Sequence, residues 1–126
     1  MSLQIRTTER KPGYFELGLS GRLDSSTYQE LDNKLNYLYN SAAKAIVLDF
    51  SALEYISSMG LRVVFKAVKD MKASGGVFMM TNMQPAIKKV FEIANAIADD
   101  SLFLSIEEAD NYYQSIQDQV KKGSIS

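Results

Sequence analysis

A chain of 126 residues with 46% apolar side chains can bury one hydrophobic core, and its length fits a single domain. The 14 Lys and Arg nearly balance the 15 Asp and Glu, which argues against the basic stripe of a nucleic-acid binder. With neither cysteine nor histidine, disulfides and thiolate metal sites are excluded, and the commonest metal ligand and general acid–base group are missing.

Met1-Ser2-Leu3-Gln4 lacks the basic-then-apolar order of a signal peptide, and no apolar run reaches membrane-spanning length. The expectation is a soluble cytoplasmic protein with no membrane insertion. Alternation over residues 3–8 predicts a half-exposed strand. Lys11-Pro12-Gly13 is a turn signal, and residues 14–19 give a second strand, so the pair reads as a hairpin closed by Ser20-Gly21. Asp24-Ser25-Ser26-Thr27 has the composition of a turn that caps a helix. That helix is predicted over residues 27–40, with Tyr28, Leu31, Leu35 and Leu38 as its buried stripe.

Residues 45–50 form a β-branched, apolar run that reads as a strand buried on both faces, with Asp49 as a turn residue at its end. A second helix is predicted over residues 59–73. Leu61, Val64, Phe65, Val68 and Met71 recur at steps of three and four, while Arg62, Lys66, Lys69 and Asp70 take the other side. Ser57-Ser58 precedes this helix, so a hydroxyl there sits near free N–H groups and the positive end of the helix dipole. Ser58 is expected at the first turn, with its hydroxyl open to solvent.

Ser74-Gly75-Gly76 stops the helix, and residues 77–81 form another strand. Pro85 opens a third helix whose inner face is Ile87, Val90, Phe91 and Ala94. Residues 95–101 read as a loop and residues 102–104 as a short last strand. Ser105-Ile106-Glu107-Glu108 is a capping-box pattern that opens a fourth helix with Ile106, Ala109, Tyr113, Ile116 and Val120 on its packed face. Residues 121–126 read as a frayed tail. Strands alternating with helices after an opening hairpin imply an α/β domain with a mixed sheet.

The stretch from Asp49 to Val64 resembles the central motif of the STAS domain family of bacterial anti-sigma factor antagonists. In that family a strand and short loop lead to a D-S-[ST]-G-L-type sequence at the head of a helix. Ser58 matches the regulatory phosphoserine; Ser57 stands where the family has an acidic residue, and Met59 where it has a small hydroxylic one. Ser57 is therefore a rival acceptor. Gly21-Arg22-Leu23-Asp24 is similar to the family's G-x-L-D, which implies that Asp24 lies near the serine. Pro85-Ala86-Ile87-Lys88-Lys89-Val90-Phe91 is similar to the family's third helix. The resemblance spans residues 3–115 and implies a mixed sheet of four to five strands, with about four helices stacked mainly on one side.

It also implies a function. The unphosphorylated domain binds an anti-sigma factor that is a serine kinase, phosphorylation of Ser58 ends the complex, and a PP2C-type phosphatase resets the cycle. Asp24, Ser57, Met59, Gly60, Arg62 and Lys66 would border the contact surface. The alternative is a constitutive STAS binding module in a transport or stressosome-like assembly.

Catalysis has little support. No Gly-x-Ser-x-Gly surrounds Ser57 or Ser58, and neither a phosphate-cradling loop nor a dinucleotide fingerprint is present. Asp99-Asp100 and Glu107-Glu108 read as solvated charges. The expectation is a substrate of other enzymes, with no cofactor and no metal.

Overall fold

The computed structural model describes residues 2–97 and 105–124. The elements run β1 (Leu3–Lys11), β2 (Tyr14–Leu23), α1 (Tyr28–Asn40), β3 (Ala45–Ile56), α2 (Ser58–Ala73), β4 (Val77–Thr81), α3 (Pro85–Ile97) and α4 (Ile106–Lys121). Among the described residues the strands form one sheet in the order β1-β2-β3-β4, with β1–β2 antiparallel and the other two pairs parallel. The expected strand at residues 102–104, the Asp99-Asp100 pair and most of the expected loop lie outside the described residues.

Period two sorts each strand into two faces. Leu17 and Leu19 of β2 and Ile46, Leu48 and Phe50 of β3 are buried against the helices. Glu16, Gly18, Val47 and Asp49 alternate with them and remain partly open. The helices contribute Leu31, Leu35 and Leu38 from α1, Leu61, Val64 and Met71 from α2, and Ile87, Val90 and Phe91 from α3. Phe91 meets both Phe50 and Phe65 edge-on, at centroid distances of 5.7 and 5.6 Å, which ties α3 to the sheet and to α2.

Three strands are longer than their sequence suggests, and β1 runs on past Thr8 to Lys11. β2 continues through Ser20-Gly21 to Leu23, and β3 continues past Phe50 to Ile56. The β2 and β3 extensions pair with one another across register irregularities: Gly21 lies opposite Leu53 and Leu23 opposite Ile56. Gly21 makes this possible. Its φ is 100°, and a Cβ there would lie 2.2 Å from the Ser2 carbonyl oxygen, so the strand bends where only glycine fits. Asp49 is therefore a strand residue. Its carboxylate accepts from the Ser51 N–H and from the Asn82 side chain.

The α4 stripe also differs from the apolar pattern. Ala109, Tyr113 and Gln117 are buried at steps of four, while Ile106 is 44% exposed and Ile116 and Val120 are half-buried. Lys121 belongs to α4 and not to the tail, because its ammonium donates to the Glu54 carbonyl at 2.8 Å. No helix among the described residues is long and apolar enough to cross a membrane.

Candidate functional site

The extended ends of β2 and β3 deliver the chain to the head of α2. Ser57 N–H donates to the Leu23 carbonyl at 2.9 Å, so the residue after β2, Asp24, is held at the same end of the sheet. Ser57 is the N-cap of α2 in extended conformation, and its hydroxyl accepts from the Gly60 N–H at 3.3 Å. This satisfies one of the free donors at a helix start. It also turns the Ser57 side chain inward, where the residue is 1% exposed.

Ser58 is the first residue of α2, as its sequence predicts, but the expected solvent access is not found. The residue is 5% exposed, and its hydroxyl donates to Asp110 Oδ1 of α4 at 2.7 Å. The Ser58 N–H donates to the same oxygen at 2.9 Å. One carboxylate oxygen thus takes both the side chain and a free backbone donor, an arrangement that the positive end of the α2 dipole favours.

Gly60 is buried on the core side of the first turn. A Cβ there would lie 2.7 Å from Leu23 Cγ and 2.9 Å from Ile56 Cγ1. It is a packing residue under the site and presents nothing to an approaching surface. Met59 is half-buried, Arg62 is exposed, and the Arg62 guanidinium lies 3.8 Å from Met59 Sδ. Lys66 is exposed but points to α1, donating to Asn36 at 2.9 Å and lying 3.6 Å from Asp70 and 3.9 Å from Asp32. Of the residues expected to border one surface, Met59 and Arg62 stay together beside Ser58, and Lys66 joins the α1–α2 groove.

Asp24 fills the turn role expected of it. Its carboxylate accepts from the Ser26 N–H and hydroxyl and from the Thr27 hydroxyl, which organises the turn before α1. It also lies 3.5 Å from Arg22 Nε, and the Arg22 guanidinium stacks over the Tyr55 ring at 4.0 Å. Burial alone would raise the Asp24 carboxyl, but the hydrogen bonds from Ser26 and Thr27 and the Arg22 charge together hold it below the usual carboxylate range. Burial pushes the Tyr55 phenol up, and the Asp110 carboxylate adds to this, with a further push from Asp24. Ser58, Asp110, Tyr55, Arg22 and Asp24 therefore form one polar neighbourhood at the end of the sheet.

Asp110, Gln117, Arg22 and Tyr55 escape a reading of the sequence. Gln117, fully buried, closes the end of β3: its Oε1 accepts from the Ile56 N–H at 3.0 Å, and its Nε2 donates to the Ile56 and Tyr113 carbonyls at 2.8 and 3.0 Å. Asp110 and Gln117 are seven residues apart, two turns of one helix face, and that spacing is the one signal they leave. Among the described residues no group of three or more acidic side chains is placed to hold a metal ion.

The comparisons with known proteins agree with this architecture. BtrV of Bordetella bronchiseptica, named as an anti-sigma factor antagonist, is 29% identical over 92 residues, which span 73% of this chain and 79% of BtrV. The phosphorylated form of the Bacillus cell-fate determinant SpoIIAA superposes with a TM-score of 0.64 at 20% identity, covering 75% of this chain and 86% of SpoIIAA. An anti-sigma factor antagonist from Mycobacterium paratuberculosis gives a TM-score of 0.64 at 18% identity, covering 89% of this chain and 94% of that one. The STAS domain family model matches residues 6–109, from within β1 into the first turn of α4 and across the whole Ser57–Gly60 segment. On that match and this fold, the chain belongs to the STAS domain family.

Proposed function

We propose that the protein is an anti-sigma factor antagonist whose binding is controlled by phosphorylation of Ser58. The observation that carries the reading is the position of Ser58 as the first residue of α2, in a STAS fold whose relatives include named anti-sigma factor antagonists. A SpoIIAA structure in a phosphorylated form supports the modification as chemistry this fold accommodates. The family resemblance supplies the partners: a serine kinase that is the anti-sigma factor, and a PP2C-type phosphatase. In this reading the protein is a substrate in the cytoplasm and catalyses nothing itself.

The physical effect of the modification follows from its position. A phosphate on Ser58 adds nearly two negative charges and three acceptor oxygens. The helix N-terminus tolerates that charge, so α2 itself keeps its fold. A partner docked across Met59 and Arg62 would desolvate it, and an unpaired buried charge is costly. Loss of about 1.4 kcal/mol already lowers affinity tenfold. Ser57 is the weaker acceptor because its hydroxyl is the cap of α2, accepting from the Gly60 N–H, so modifying it would disturb the helix start, whereas Ser58 caps nothing.

The test begins with a pull-down of native partners by unmodified protein, expected to recover an ATP-binding anti-sigma factor. Incubation with that partner and ATP should add one phosphate, located at Ser58 by mass spectrometry and absent from Ser58→Ala. Titration should then show weaker binding after phosphorylation. Equal affinities before and after would reject the switch and favour a constitutive binding module.

A further inference from the structure

We propose that Asp110 latches the first two turns of α4 over Ser58, and that a phosphate on Ser58 releases them. Modification of Ser58 is then read out as a local undocking of α4. The proposal rests on the reading of Ser58 as the acceptor, and it concerns how access to that serine and the response to its modification are controlled.

The geometry of the latch is a single oxygen. Asp110 Oδ1 accepts both the Ser58 hydroxyl, at 2.7 Å, and the Ser58 N–H, at 2.9 Å. The hydroxyl that a kinase must reach therefore faces a carboxylate of its own chain, in a residue that is 5% exposed. The start of α4 has to move before any enzyme approaches Oγ.

Phosphorylation then makes that movement favourable. Transfer from ATP forms an Oγ–P bond, breaks the bond between the γ-phosphorus and its bridging oxygen to release ADP, and sends the hydroxyl proton to solvent. The proton lost is the one Ser58 now donates to Asp110. An attractive hydrogen bond is replaced by a dianion beside a carboxylate at hydrogen-bond distance, and like charges this close repel strongly where water is scarce.

The rest of α4 localises the response. Gln117 holds Ile56 through both its N–H and its carbonyl, and Lys121 holds the Glu54 carbonyl. These three bonds contain no contact with Ser58, so the second half of α4 stays on β3. The first half carries Ala109 and Tyr113, both 4% exposed. Its release would uncover their apolar surface and the head of α2 together.

Hydrogen–deuterium exchange on the full chain tests this without a kinase. Phosphoserine is installed at position 58 by biosynthetic incorporation. In the phosphorylated protein, amides of residues 106–113 should exchange about tenfold faster or more, an opening made easier by ~1.4 kcal/mol. Amides of β2, β3 and residues 114–121 should keep their protection. Asp110→Asn in the phosphorylated protein should remove most of the acceleration, because the side-chain amide carries no like charge. Unchanged exchange at 106–113 would overturn the latch. So would acceleration that persists in full in Asp110→Asn, or a uniform loss of protection over the whole chain. Native phosphorylation of Ser58 is read separately by intact mass with the captured partner, so failure of that reading and failure of the latch give different results.

Discussion

Replacing Gly60 by alanine sets two opposing effects against each other, and the structure predicts which wins. Alanine is favoured over glycine by up to ~1 kcal/mol in a helix interior, because it restricts the unfolded backbone. Gly60 lies in the first turn of α2 with no left-handed φ, so this gain is available there. Space works against it. The added methyl would lie 2.7 Å from Leu23 Cγ and 2.9 Å from Ile56 Cγ1, well inside contact distance. Leu23 and Ile56 are both 0% exposed, and they are opposed residues of the β2–β3 ladder, so neither retreats cheaply. Overpacking a well-filled core costs typically ~1–3 kcal/mol. The expected net result for Gly60→Ala is a loss of roughly 1–2 kcal/mol, with Gly60→Val losing more. Urea unfolding followed by circular dichroism should show a lower midpoint with an unchanged slope. A Gly60→Ala protein as stable as the parent, or more so, would refute the packing argument and leave this glycine explained by a partner's approach instead.

Gln117→Ala should destabilise by about 2 kcal/mol or more, because it leaves the buried N–H and C=O of Ile56 without partners and opens a cavity. Gln119→Ala, whose side chain donates to Ser115 on the exposed face, should be near neutral, and the two urea midpoints compare them directly. Asp24 gives a pH signature. Its carboxyl is held below the ordinary range, so its contribution to stability is present above the unfolded pKa of about 3.9 and is lost as pH falls through the lower folded value. The parent should therefore lose more stability than Asp24→Asn between pH 5 and pH 3, and parallel unfolding midpoints over that range would contradict the hydrogen-bonded carboxylate.

Much of the fold is legible in the residues because it depends on local periodicity and punctuation. The starts of α3 at Pro85 and α4 after Ser105, the strand Val77–Thr81 and the apolar stripes of α1 and α2 all follow from spacing and caps. The position of Ser58 at the head of α2 is legible for the same reason, since a strand, a serine pair and a 3–4 repeat are all local signals. The lengths of β2 and β3 are not. Ser20-Gly21 looks like an ending, and only the parallel partner strand, with its irregular register, shows that the chain continues as sheet.

Local residue patterns carry the α/β alternation, the position of Ser58 and the family to which these residues point. The tertiary structure alone decided whether Ser58 is open. Its hydroxyl is closed off by a residue 52 positions away in sequence, on a helix whose polar members Asp110 and Gln117 look like ordinary surface choices. A buried Gln and a half-buried Asp leave only their seven-residue spacing as a trace, because their placement answers to unpaired groups at Ile56 and Ser58. Those groups become neighbours of α4 only when it packs across the end of the sheet, so satisfying buried polar atoms is a condition of the folded molecule and not of any local segment.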